Sequence, residues 1–443
     1  MNDRTIRLVL VGILIVSFFP VANAALTAES AVQSTESSVP PNQTLLVSTQ
    51  GASVEFGAGI FSFNRSSDRI IWKWTDCPNK CFDVDPLGDG ETLFVSKTGE
   101  KKPFQINGSD SYNWKATHLN RSTGEIYRQF SVPPETHDID YLGDGRYIVA
   151  NKILHDSAEQ AWLREAKRQG WINESRETHS HLVYIYNATS DEIVWEYRFV
   201  DHFPKNAGDG YANDYTHLND VDVVDNGSAV LLSPREFDRV VLIDKETKET
   251  RWTLGAEDEY STLHEQHNPV LLSNSPPTVL VADSGNDRIV EYTRRNGSWK
   301  QTWIYKNELR WPRDADRLPS GNTLIVDTGN DRVIEVTPDG EIVNTTEIAQ
   351  APYDAEIAGL GDEPQGPPMY EIRGSDTNTS TEQVSSVESL QRVWLDYHFT
   401  ASWILPTWVD PIAFGSMHFS ILSFGGLSSC GLDTIWRSSV LYR

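Results

Sequence analysis

Three histidines and two arginines recur at the openings and returns of one repeated phrase. His137 opens HDID, His217 opens HLND, His267 sits in QHNPV, Arg235 closes AVLLSPREF, and Arg313 lies in WPRDAD. An imidazole is a general acid or base near neutral pH, and its neutral form is a nucleophile that can carry a transferred group. A guanidinium grips two oxygens of one anion at once. Brought together, these side chains make a cationic, donor-rich pocket for sulfate, phosphate or carboxylate. Each also has a plain structural use: a histidine can cap a strand end, and Arg235 can pair with Glu236 or Asp238 in a weak surface contact. Their recurrence at corresponding places carries the inference. Asn219 and Asn268 stand where they would orient the imidazoles or donate to a bound oxygen. Three histidines could also hold zinc, but arginine beside them disfavours a divalent cation, so the expectation is neither metal nor cofactor. Neither a G-x-S-x-G elbow nor a P-loop occurs.

The elements that must position these groups are hairpins. Asp225-Asn226-Gly227 supplies a tight turn, and antiparallel pairing about it sets His217 opposite Arg235. The same pattern of short strand, polar turn and apolar strand begins at Asp83, His137, His217, Gln266 and Trp311, and a first unit starts with NQTLLVSTQ. Four short strands per unit, repeating every ~45 to 50 residues, are the mark of a β-propeller blade. The fold expected is an all-β, six-bladed propeller over 42–374, with a helical insertion at 155–171 in one blade. A seventh blade is the alternative if part of 351–375 closes the ring. The first strand of each blade lines the central channel, so the blade-opening residues should meet at one mouth.

The chain has 443 residues, with 63 Asp and Glu against 38 Lys and Arg, for a net charge of −25. That excess of acid excludes nucleic acid and anionic membrane surfaces as partners and resembles the composition of proteins that work in high salt. Residues 1–24 have the layout of a secretory signal or an N-terminal anchor. A polar leader (25–41), a polar linker (375–397) and an apolar, aromatic tail (398–443) flank the propeller. The tail is a candidate membrane anchor, although Pro406, Asp410 and Pro411 interrupt any clean span. An extracellular or cell-surface place is expected. Cys77 and Cys81 are spaced for a short disulfide loop. N-x-S/T sites at Asn42, Asn64, Asn107, Asn120, Asn173, Asn187, Asn226, Asn296, Asn344 and Asn378 suggest a glycosylated surface.

His217-x-Asn219, Arg235 on the returning strand, and Gln266-His267-Asn268 together resemble the arylsulfotransferase family of exported six-bladed propellers, from about His137 to Asp339. The resemblance implies sulfuryl transfer from an aryl sulfate to a phenol without a soluble nucleotide donor, through a sulfohistidine. It makes His267 the nucleophile. His217 and Arg235 match groups that hold the sulfuryl oxygens, and His137 matches a further sulfuryl-binding or proton-transferring histidine. Dimerisation, which in bacterial periplasmic members uses a separate N-terminal β-sandwich, is not carried over. Two other classes remain open from the sequence: a non-catalytic scaffold resembling NHL-type repeats, suggested by SGNDRIVEY and TGNDRVIEV, and a metal-dependent propeller hydrolase.

Overall fold

The computed structural model describes residues 39–51, 58–77, 80–106, 109–133, 135–152, 181–208, 215–348, 350–364 and 366–374. The signal or anchor, most of the leader, the 155–171 helix, the linker, the tail and the sequons at Asn107, Asn173 and Asn378 lie outside these residues.

Six four-stranded antiparallel sheets form a six-bladed propeller. The innermost strands of blades one to six are Cys81–Gly88, Ile139–Gly143, Leu218–Val224, His267–Asn274, Asp314–Arg317 and Pro352–Ile357, and each touches the next around a closed ring. Blade six is composite. Its innermost strand, Pro352–Ile357, pairs with Thr44–Thr49, which is followed outward by Ile60–Asn64 and Arg69–Trp74. The unit at the start of the chain therefore lacks its own inner strand, and the stretch weighed as a seventh blade supplies it.

The strands follow from β-branched and apolar runs punctuated by residues that accept positive φ. In LGDG, Gly88, Asp89 and Gly90 have φ of 89°, 47° and 79°, which reverses the chain within a few residues. In blade three, Asp225–Gly227 forms a short 3-10 turn with Asn226 at φ 53°. Apolar side chains pack between neighbouring blades. Val183 and Ile185 of blade two meet Val221, Val230 and Leu232 of blade three, for example, and all are buried. Each such side chain contributes about 1.5–3 kcal/mol.

The axis is polar, and the inner strands are stitched across it. Asp83 accepts a hydrogen bond from the backbone N–H of Ile139 at 3.0 Å, Asp138 from Val221, Asp314 from Ala355 at 3.4 Å and Asp354 from Val84 at 2.7 Å. Each carboxylate satisfies a buried donor on the next blade.

The NHL-like phrases are corner locks. Asp283 accepts from Asn286 (2.8 Å), Arg288 (2.6 Å) and the backbone of His264 (2.7 Å). Asp327 repeats this with Asn330 (2.8 Å), Arg332 (2.7 Å) and the backbone of Arg310 (2.8 Å). Cys77 and Cys81 form a disulfide. Among the described residues, no helix is long and apolar enough to cross a membrane.

Candidate functional site

The stitching defines which residues correspond between blades. Counting one residue back from the stitched carboxylate gives Phe82, His137, Arg313 and Tyr353. Asn219 and His267 take the same place in blades three and four. The residue two positions earlier has a left-handed backbone in five blades: Glu135 (φ 59°), His217 (41°), Glu265 (48°), Trp311 (46°) and Ala351 (46°). Such backbone strain in non-glycine residues gathers at functional sites.

One expectation is corrected here. His217 does not occupy the place of His137 and His267; it sits two residues early, on the left-handed position, and Asn219 holds the corresponding place. The turn still brings His217 to the mouth. Its ring centroid is 5.0 Å from that of His137, and the N–H of Arg235 donates to its carbonyl oxygen at 3.4 Å, so the two residues do lie opposite each other. Arg235 itself is not on the second strand, which ends at Pro234, but opens the 3-10 turn Arg235–Phe237. Its Nε donates to Glu236 at 2.9 Å.

Tyr353 gathers the rest. Its ring lies 6.0 Å from His137, 6.3 Å from His267 and 4.7 Å from Phe82, and the Arg313 guanidinium stands over it at 5.1 Å. His137 stacks on Phe82 at 4.4 Å and donates from Nδ1 to the Glu135 carbonyl at 2.7 Å. The structure thus brings His137, His217, His267, Arg235 and Arg313 to one mouth, with Tyr353 between them. Among the described residues the buried Tyr353 hydroxyl has no hydrogen-bond partner, and neither does Oδ1 of Asn219 or Asn268. Asn219 Nδ2 donates to the carbonyl of Gln266 at 2.8 Å, fixing the backbone just before His267.

The tautomer of His267 follows from its neighbours. Ser284 Oγ lies 2.6 Å from the Pro312 carbonyl, an acceptor only, so the hydroxyl proton points there. The Oγ lone pair, 2.8 Å from His267 Nδ1, then accepts from it, and the Glu265 carbonyl at 3.1 Å can accept from the same N–H. Nδ1 carries the proton and Nε2 the lone pair. Among the described residues Nε2 has no hydrogen-bond partner. Burial, then the charges of Arg313, Arg235 and His137, hold the His267 pKa well below the usual imidazole value. Burial lowers Arg313 to about 10 and pushes the Tyr353 hydroxyl up. The mouth therefore combines a neutral imidazole, guanidinium donors and a neutral phenol.

Ser284 and Tyr353 were not among the residues expected from sequence. Tyr353 had a signal: APYDAE at 351–356 repeats WPRDAD at 311–316, tyrosine standing where arginine stands. Ser284 had none beyond its place in the SGND corner. Of the other histidines, His118 bonds Tyr147 and Glu91, His202 stacks on Tyr197 at 4.4 Å, and His264 lies against Tyr260 at 4.4 Å.

Comparison with known proteins bears on this site. The sequence profile of the arylsulfotransferase (ASST) family matches residues 69–274, which include His137, His217, Arg235 and His267. That of the outer membrane protein assembly factor BamB matches residues 179–396. No curated protein matches the chain. Similar solved structures include a protein of unknown function from Bacteroides caccae, at 14% identity over 71% of this chain and 97% of that one, with a TM-score of 0.46. Another is a periplasmic gluconolactonase of Pseudomonas aeruginosa, at 13% identity over 71% and 98%, with a TM-score of 0.42. Likenesses this distant carry no argument. Over residues 69–274, therefore, this six-bladed propeller matches the arylsulfotransferase family.

Proposed function

We propose that the channel mouth transfers a sulfuryl group from an aryl sulfate to a phenol through a sulfohistidine at His267. The observation that carries this reading is the Pro312–Ser284–His267 chain of hydrogen bonds, which leaves Nε2 as a lone-pair donor in a pocket that disfavours its protonation. The family match supports the same activity.

In the first half-reaction, His267 Nε2 forms a bond to sulfur as the bond from sulfur to the aryl oxygen breaks, and His137 gives a proton to the departing phenolate. In the second, His137 takes the proton of the acceptor phenol, whose oxygen attacks sulfur, and the N–S bond breaks. Arg235, His217 and Arg313 hold the sulfuryl oxygens, where charge spreads in the transition state; such a donor is worth about 3–4 kcal/mol. Asn219, Asn268 and the Tyr353 hydroxyl add neutral contacts.

Incubation with a chromogenic aryl sulfate and a phenol acceptor should release the donor phenol, and His267→Ala should abolish release. Mass spectrometry of donor-treated protein should find a sulfuryl adduct on the peptide that contains His267. No release by wild type, or equal release by the variant, overturns the proposal.

A further inference from the structure

Below the histidine layer the channel carries a second tier of carboxylates, two residues further along the inner strands. Asp85, Asp140, Asp222, Asp316 and Glu356 occupy it, about 7 Å beneath the first layer at the usual rise of a strand. Unlike the stitched tier above, none accepts a hydrogen bond from a backbone N–H of the next blade in the contacts of the described residues. Blade four holds Val270 at this position, buried and well packed. The fold therefore accepts an apolar side chain there and has no structural need for acid. Among the described residues neither carboxyl oxygen of Asp85, nor Oδ2 of Asp222 and Asp316, nor Oε2 of Glu356 has a hydrogen-bond partner, and a buried carboxylate left so costs several kcal/mol unless it takes up a proton or meets a counter-charge.

The geometry supplies a place for one. Ligand oxygens of Asp314, Asp316 and Glu356 all lie within 4.8 Å of one another. These side chains are only 3%, 1% and 4% exposed. The two side chains Asp316 and Glu356 are hydrogen-bonded to each other, and among the described residues Asp316 Oδ2 and Glu356 Oε2 have no hydrogen-bond partner. The charged groups that bear on the pair are other carboxylates, Asp354 and Asp362 among them. Oxygens on one calcium ion, each at about 2.3–2.6 Å, stand at most about 5 Å apart, which this cluster satisfies. Asp85, Asp140 and the half-buried Asp362 also converge within 4.8 Å and offer an entering cation a first foothold.

We propose that the lower channel binds a calcium ion through Asp314, Asp316 and Glu356. Asp314 directly follows Arg313 of the mouth, but the site's carboxylates take no part in the proposed transfer and its test does not depend on that chemistry. After treatment with chelator and dialysis against micromolar Ca2+, the full-length protein should retain about one ion per chain by elemental analysis. Its Tm should exceed that of the EGTA-treated protein by at least ~3 °C. Asp316→Asn and Glu356→Gln should each lower Ca2+ affinity at least ~10-fold, with circular dichroism confirming the fold. Should either variant fail to fold, the stoichiometry and Tm shift of wild type decide alone. Absence of retained calcium and of any Tm shift, or undiminished affinity in folded Asp316→Asn and Glu356→Gln, overturns the proposal.

Discussion

In the proposed transfer, His267 acts as a nucleophile only while its Nδ1 proton stays fixed, and that task falls to the Ser284 hydroxyl. Ser284→Ala should lower donor turnover about 10- to 100-fold, or about 1–3 kcal/mol, with KM nearly unchanged, because orientation is lost while the anion-binding groups remain. Protonation of His267 would consume its lone pair. Burial, Arg313, Arg235 and His137 all resist that protonation, so the acidic limb of kcat/KM should lie below pH ~6.5, the ordinary imidazole value. A pH–rate profile checks this, and an acidic limb at or above that value would contradict it. His137, His217, His267 and Arg235 were legible because imidazole and guanidinium recur in a repeated phrase. Ser284 was not, because it acts from 17 residues downstream through a contact that only the fold creates. The offset of His217 was also hidden, since a left-handed backbone leaves no mark on a histidine in sequence.

The elements show how most of a repeated phrase can serve the architecture. SGND and TGND looked like the sign of a scaffold family, yet Asp283 and Asp327 each gather three donors at a blade corner and are themselves fully buried. Removing such a carboxylate leaves its donors unpaired, so Asp283→Ala should cost about 3–5 kcal/mol, seen as a lowered denaturant midpoint. The sequons have a similar second use. The side-chain oxygens of Asn64, Asn120 and Asn187 accept from the backbone N–H of Ser66, Ser122 and Thr189, at 2.9, 3.0 and 2.9 Å. Asn followed by Ser or Thr recurs here as turn chemistry, whatever else it serves. The blades themselves were legible from alternation and turns. Their closure was not: a strand that pairs with a partner some 300 residues away has no local signature.

At the scale of the whole molecule, a net charge of −25 stands around an axis that is itself acidic. Repulsion across such a surface is screened by salt, so Tm should rise between about 0.1 M and about 1 M NaCl, where the Debye length falls from ~10 to ~3 Å. A salt-independent Tm would contradict this. Charge and composition were readable at once, but they say nothing of where the carboxylates go; the two channel tiers emerge only when the inner strands are ranged side by side. The composite sixth blade also imposes an order in time. A ribosome delivers the histidines of blades two to four well before Tyr353, and the ring cannot shut until Pro352–Ile357 has emerged and found Thr44–Thr49. An unfinished chain thus holds the three imidazoles of the mouth yet lacks the strand that closes the ring around them.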